Sequence, residues 1–319
     1  MSNPIRFDGQ VAIVTGAGGG MGRAYAIELA RRGAAVLVND YGGDVHGHAN
    51  GSAGPAEEVA AEIRAAGGQA AADGHAVGTG DAARAIVAAA IAAFGRLDIL
   101  VNNCGTALPG PFTDFDDETI EQHYPINAIG GHHLMRAAWP IMSAQRHGRV
   151  LNISSNGVMG VGGNAPYGAA KAAMLGLTFD TAIEGRSRNI LVNAVMPTAY
   201  SRMIEQIPDR ATVGWFQRNL PAEKVAAAMA FFLSRESDVT GRVFYTGGGR
   251  LGTTQLAEND GIFVRAIDAE TVRDRLAEIL GTDRLTVTPD QASAGRRYMD
   301  ALPWDAGSAP NFQPDLDEA

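Results

Sequence analysis

Val11-Ala12-Ile13-Val14-Thr15-Gly16-Ala17-Gly18-Gly19-Gly20-Met21-Gly22-Arg23 decides the reading of this 319-residue chain. Val11 to Thr15 is a short apolar run of the kind that forms a strand buried on both faces. Five glycines then fall within residues 16–22, and 23–32 carries a helical pattern. Glycines at such a turn let the backbone come close to a diphosphate, while the free N–H groups and the dipole at the start of the following helix favour negative charge. A plain strand-to-helix connection would look similar, so the rest of the chain has to decide.

Outward from this unit the same alternation repeats. Apolar runs at 35–39, 69–72, 99–102, 149–153, 190–195 and 243–245 join 11–15 as expected strands. Ala-rich helical stretches separate them at 20–32, 55–66, 81–94, 117–145, 166–184 and 221–234. Seven strands in this order imply an α/β fold: one doubly wound parallel sheet with helices on both faces and right-handed crossovers. A sheet domain over 1–250 is expected, then an extension over 251–319 with one helix near 271–280 and a disordered, acidic, Pro-containing tail from 308. Two irregular connections, 41–54 and 197–220, are long enough to serve function.

Composition narrows the class. Apolar residues make up 46% and charged residues 19%, which supports a large core. The 26 Lys and Arg against 35 Asp and Glu leave a net charge of -9. That balance argues against a nucleic-acid footprint and against adhesion to anionic membranes, so a polyanionic ligand must be held locally. The longest apolar stretch, 85–94, is well short of the ~18 residues of a membrane span. No basic-then-apolar leader opens the sequence, and a cytoplasmic protein is expected. One cysteine, Cys104, excludes an intrachain disulfide.

Asp40 ends the second strand at about the 20-residue offset where a dinucleotide fold places an acid on the adenosine ribose. A carboxylate there accepts from ribose hydroxyls and repels an added phosphate. No Lys or Arg stands at 18, 19, 41 or 42, so the expected cofactor is NAD rather than NADP. Asp also favours turns, which gives Asp40 a second explanation as a loop cap. Tyr167 and Lys171 lie four apart on a helix and share one face. A phenol of pKa near 10 needs a neighbouring cation to act near neutrality, and an ammonium provides one. Such a pair is also common as a surface contact. Ser154, thirteen residues before Tyr167, ends the fifth strand at the carboxyl edge of the sheet, where ligands of such folds bind. Ser155 is its near rival.

Taken jointly, Thr15-Gly16-x-x-x-Gly20-x-Gly22, Asn102-Asn103-Cys104-Gly105, Asn127, Ser154 and Tyr167-x-x-x-Lys171 resemble the short-chain dehydrogenase/reductase family over about residues 7 to 250. The resemblance implies a Rossmann-like oxidoreductase. Tyr167 would be the general acid/base, Ser154 would hold the substrate oxygen, and Lys171 would lower the tyrosine pKa and bind the nicotinamide ribose. Asn127 would hold a water in a proton relay. Gly16, Gly18, Gly20, Met21, Gly22, Asp40, Asn103, Gly105, Tyr167, Lys171 and Pro197 would bind the cofactor. The segments Arg6-Phe7-Asp8-Gly9, Val38-Asn39-Asp40, 182–186 and Pro197-x-Ala199-x-Ser201-Arg202-Met203 are further similar to the (3R)-hydroxyacyl-CoA dehydrogenase part of peroxisomal multifunctional β-oxidation enzymes and their bacterial single-domain relatives. That narrower likeness implies a hydroxyacyl-CoA or steroid-type substrate, and the family implies a homodimer or homotetramer.

The chain departs from the family pattern at Cys104, where alanine is usual, at Thr198, where glycine is usual, and at Gly74-His75-Ala76, where an acid commonly meets adenine. Cys104 reads as a small buried side chain, and His46 and His48 as loop residues without the partners a metal site needs. The acids Asp114, Asp116, Asp117 and Glu118 suit the start of a helix. Apolar residues in 106–112, 158–164 and 200–216, among them Leu108, Phe112, Met159, Val161, Met203 and Trp215, point to an apolar substrate pocket, with a subunit contact as the rival for 197–216. Two other functions remain at this point. One is NADPH-dependent ketoacyl or quinone reduction, and the other is non-catalytic nucleotide binding on the same fold.

Overall fold

A computed structural model describes residues 3–43, 51–107, 109–205, 207–264, 266–288 and 290–300, the side chains of 295, 296 and 298–300 excepted. His46, His48, Leu108 and the acidic tail lie outside the described residues. The strands are β1 (Val11–Thr15), β2 (Ala35–Asn39), β3 (Gln69–Asp73), β4 (Ile99–Asn102), β5 (Gly148–Ile153), β6 (Ile190–Pro197), β7 (Val243–Gly247) and β8 (Arg250–Thr254). They form one sheet in the order β3-β2-β1-β4-β5-β6-β7-β8. The pairings from β3 through to β7 are parallel.

The sheet has eight strands rather than the expected seven. Gly248 and Gly249, at φ 60° and 96°, supply the left-handed backbone of a two-residue reversal, which returns β8 antiparallel beside β7. Its sequence, Arg-Leu-Gly-Thr-Thr, is largely exposed and lacks the apolar run that marks a buried strand.

Helices α1 (Gly20–Arg31) and α2 (Gly54–Ala65) pack on one face of the sheet, and α3 (Gly80–Phe94) packs on the other. The single helix expected over 117–145 is three pieces: α4 (Asp117–Tyr124), a π-helical turn at Pro125–Ile129, and α5 (Gly130–Gln145). Pro125 has no N–H to continue the ladder, so the helix is locally widened. Asp116 caps α4 by accepting from Thr119 N at 2.8 Å, and Asp117 and Glu118 fill its first turn, which accounts for the acidic cluster. Helix α6 (Ala165–Gly185) follows β5. The connection after β6 carries two short helices, α7 (Arg202–Glu205) and α8 (Arg210–Asn219), before α9 (Ala222–Leu233).

Tyr25, Leu29, Val59, Ile63, Met229 and Leu233 fill one core layer, and Ile86, Leu97, Leu134, Met142 and Ile190 fill the other. Because both faces are covered, the strands stay apolar until their carboxyl ends. There the register aligns Thr15 with Asn39, Asn39 with Asp73, and Asn102 with Asn152. The order reverses between β1 and β4, so the crevice of this fold opens at that polar edge.

The chain divides into two compact units, 1–253 and 254–319. The second holds an antiparallel pair, β9 (Ala257–Asn259) with β10 (Leu285–Val287), and the helices α10 (Ala269–Asp274), α11 (Leu276–Ile279) and α12 (Gln291–Asp300). The one helix expected near 271–280 is therefore two, broken at Arg275. Among the described residues no helix is long and apolar enough to cross a membrane.

Candidate active site

The glycine turn between β1 and α1 is built so tightly that side chains do not fit. A Cβ on Gly22 would stand 2.1 Å from the carbonyl oxygen of Gly16, and one on Gly18 would stand 2.6 to 2.9 Å from Pro55 and the Asp40 carboxylate. Asn103 locks this turn to β4: its Nδ2 donates to the carbonyl oxygens of Thr15 at 2.9 Å and Gly16 at 3.2 Å. The hydroxyl of Thr15 receives the N–H groups of Asn103 and Cys104, both at 3.1 Å. Helix α1 starts at Gly19 with no side-chain cap and no acid in its first turn, leaving its N–H groups and positive dipole end free for an anion.

Asp40 is buried, and its carboxylate accepts from Gly18 N at 2.9 Å and Gly42 N at 2.8 Å. Each oxygen keeps a further lone pair for a ribose hydroxyl. The cleft beside it is lined by Gly16, Gly19, Gly20, Met21, Asp40, Asn103, Gly105 and, from across the sheet, Arg202. Gly18 and Gly22 shape the cleft from behind. Pro197 closes β6 opposite Thr246 and does not line it. The glycine cradle, the open helix start and the ribose-facing acid fit a nicotinamide dinucleotide. The absence of Lys and Arg at 18, 19, 41 and 42 does not leave the cleft without a cation: Arg202 lies 162 residues from Asp40 in sequence, yet topology brings it to the same cleft. His75, held by Asp73 with Nδ1 and Oδ2 at 2.8 Å, stands where an adenine-binding acid was expected and also lines the cleft.

Where the cleft meets α6, three sequence-predicted residues converge, Asn127, Tyr167 and Lys171. Asn127 sits in the π-helical turn. Its Nδ2 donates to the carbonyls of Thr106 at 3.0 Å and His123 at 3.1 Å, and its Oδ1 accepts from Thr106 N at 3.1 Å. The widened turn frees the His123 carbonyl that this amide then satisfies. A Cβ on Gly105 would stand 2.8 Å from Asn127 Oδ1 and 3.0 Å from Lys171 Nζ, so glycine is what allows the two side chains to meet there. Lys171 is buried, donates to the Ile153 carbonyl at 3.1 Å, and lies 5.8 Å from the centre of the Tyr167 ring.

The two serines separate. Ser154 is buried, and its hydroxyl donates to the carbonyl of Lys171 at 2.8 Å, which directs it into the packing between β5 and α6. Ser155 is the hydroxyl that reaches Tyr167. The Ser155 Oγ accepts from Gly157 N at 3.0 Å, and a Cβ on Gly157 would lie 3.3 Å from that oxygen and 3.5 Å from the Tyr167 ring. Of the two, it is Ser155 rather than the expected Ser154 whose hydroxyl the structure brings to Tyr167. Residues alternate across a strand, so Ser154 shares the face of Asn152, whose amide also bonds into α6.

Burial raises the Tyr167 pKa above its usual 10, opposed only in part by the Ser155 hydrogen bond. Burial also pulls Lys171 down to about 8. The expected lowering of the tyrosine by Lys171 is thus not met in the protein alone. Cys104 is pushed up to about 11 by burial, with Asp40 adding to the shift, so it is a neutral thiol and a poor nucleophile at neutral pH. On the loops expected to form a substrate pocket, Phe112, Met159, Val161 and Trp215 are exposed apolar side chains, and Gly110 N donates to Gly163 O at 2.9 Å to tie two of these loops together.

Comparison with known proteins agrees with this geometry. Residues 10–208 match the family model described as short chain dehydrogenase. The chain is 40% identical over 284 residues to the peroxisomal multifunctional enzyme type 2 of Mus musculus, covering 88% of this chain and 38% of that protein. It is 39% identical to a short-chain type dehydrogenase/reductase of Mycobacterium tuberculosis, covering 85% of this chain and 93% of that one. The chain thus spans little more than a third of the mouse enzyme's length. A solved structure of a 7α-hydroxysteroid dehydrogenase complexed with NADH and 7-oxo glycochenodeoxycholic acid superposes with a TM-score of 0.68 at 30% identity, covering 76% of this chain and 95% of that one.

Proposed function

Because the chain belongs to the short-chain dehydrogenase family, we propose that it is an NAD-dependent enzyme interconverting a secondary alcohol and a ketone on an apolar substrate, a 3-hydroxyacyl-CoA or a steroid-type hydroxy compound. The observation that carries this reading is the meeting of Tyr167, Lys171, Asn127 and Ser155 at the end of a glycine-lined cleft whose far side presents Asp40. Asp40 supports NAD over NADP, since its buried carboxylate would face an added ribose phosphate.

When bound, an oxidised nicotinamide dinucleotide supplies the hydride acceptor and a positively charged ring. Gly16, Gly20, Met21 and the start of α1 would hold its diphosphate, Asp40 its adenosine ribose, and Lys171 its nicotinamide ribose. The Ser155 Oγ holds the substrate oxygen and the Tyr167 Oη moves its proton, accepting it when the alcohol is oxidised and donating it when the ketone is reduced. In the protein alone Tyr167 is a phenol, ready to donate. Asn127 fixes the bend that carries Thr106 and orients the inner wall of the site. The exposed aromatic and aliphatic rim favours an apolar substrate over a small hydrophilic one. The sequence likeness to the (3R)-hydroxyacyl-CoA dehydrogenase part of multifunctional enzymes favours an acyl-CoA, and the bile-acid complex of the solved relative favours a steroid. A cytoplasmic homodimer or homotetramer with no partner beyond its small molecules completes the proposal.

A screen following NADH formation with 3-hydroxyacyl-CoA thioesters, hydroxysteroids and simple secondary alcohols tests it. Turnover of an acyl-CoA or a steroid with NAD supports the proposal. Turnover confined to NADP, or to short hydrophilic alcohols, refutes it.

A further inference from the structure

Among the described residues, Arg202 is the one guanidinium or ammonium lining the part of the cleft beside Asp40 and the glycine turn. It opens α7, on the connection after β6, and is exposed. Its Nη1 reaches the carbonyl of Gly43 only at a long 3.4 Å, and a Cβ built on Gly19 would lie 3.9 Å from its Nε. Gly19 is the residue from which α1 starts, with neither a capping side chain nor an acidic first turn. The guanidinium therefore stands over the positive end of a helix, two like partial charges facing one space. In a chain of net charge -9, that arrangement has no obvious role in the fold itself. Among the described residues, the hydrogen bond that Arg202 makes is a marginal one, to a neutral carbonyl.

We infer that Arg202 is a diphosphate-binding residue that closes the cleft from the β6 side, giving a bound dinucleotide charge-assisted contacts on the face opposite the α1 N–H groups. This rests on the dinucleotide reading above. A guanidinium binds phosphate oxygens through two parallel N–H groups. Exchange of the Gly43 carbonyl for those oxygens fastens α7 over the cleft. The same connection carries Met203, which lines the cleft, and, through α8, the exposed Trp215. Cofactor binding and the position of the substrate-facing connection are thereby linked through one side chain. The ribose end does not compete for Arg202: the Asp40 carboxylate holds that place and is fixed by two backbone N–H groups.

The test is isothermal titration of the full chain with adenosine, 5′-ADP and adenosine 2′,5′-bisphosphate, in wild type, Arg202→Met and Arg202→Lys. Melting temperatures serve as a check on folding. Wild type should bind 5′-ADP more tightly than either other ligand. Arg202→Met should weaken 5′-ADP by about 10- to 100-fold, the usual worth of a hydrogen bond to a charged group. Arg202→Lys should recover part of the loss, and adenosine should bind all three proteins alike. Unchanged 5′-ADP affinity in Arg202→Met overturns the inference while leaving the dinucleotide reading intact. So does a wild-type preference for the 2′,5′-bisphosphate that Arg202→Met abolishes, which would assign the guanidinium to a ribose phosphate. Failure of wild type to bind any of the three, or NADH, overturns both.

Discussion

Replacing Ser155 and Ser154 separately by alanine gives two variants of identical chemistry with opposite expected phenotypes. The Ser155 hydroxyl meets Tyr167 at the cleft, so its loss removes a donor to the oxygen on which charge develops. Removal of one such donor costs about 10²- to 10³-fold in kcat, and a loss of about 100-fold is expected for Ser155→Ala, with little change in melting temperature. Ser154 instead spends its hydroxyl on the Lys171 carbonyl, 2.8 Å away and buried. Its loss should cost about 1 kcal/mol, or roughly 2 to 4 °C in melting temperature for a chain of this size. Its kcat should change by less than about tenfold, because only the seating of α6 is loosened. Steady-state turnover with NAD and calorimetric melting measure both. A Ser154→Ala variant that loses kcat by orders of magnitude while Ser155→Ala stays active would refute the assignment.

Three further outcomes are expected. Gly22→Ala puts a Cβ 2.1 Å from the Gly16 carbonyl, so it should lower stability by more than about 2 kcal/mol in denaturant titration and weaken NADH binding in the folded fraction. Lys171 keeps its proton to 10.5 when unfolded but only to about 8 when folded, a gap of about 3 kcal/mol. That burden is complete below pH 8 and is relieved as pH rises toward 10.5. Relative to Lys171→Met, wild type should gain stability across that window, and the variant should be inactive yet no less stable at neutral pH. Arg149 is buried and donates to the carbonyls of Ser234, Ser237, Gly148 and Asn189. Arg149→Met orphans these acceptors and should cost about 2 to 4 kcal/mol in urea unfolding.

The parallel core was readable because strands covered on both faces are apolar runs and the helices between them are Ala-rich. The elements that sequence misread are those whose cause is not local periodicity. Strand β8 exists because Gly248 and Gly249 permit a tight reversal, and its exposed residues carry no apolar pattern. The break at Pro125 was hidden inside a long helical pattern, although proline itself is the signal that marks it. At the site, the four-residue spacing put Tyr167 and Lys171 on one helix face and the family resemblance pointed to Asn127, and the structure brings the three together. The count of thirteen residues fell on the serine that the strand turns inward, and alternation along β5 from Asn152 is the sequence-level clue that separates the two. Arg202 stood in a stretch with a family likeness, but nothing local said that it meets the glycine turn: only the reversal of strand order between β1 and β4, which sets the ends of β1, β2 and β6 around one crevice, brings it to Gly19 and Gly43.

The measurement that bears most directly on the whole account is the paired determination of kcat and NADH affinity in Tyr167→Phe, which removes one oxygen and leaves the ring. Loss of a positioned proton-transfer group should lower kcat by about 10²- to 10⁴-fold, with the NADH dissociation constant within about threefold of wild type. A Tyr167→Phe protein that turns over at the wild-type rate would contradict the account.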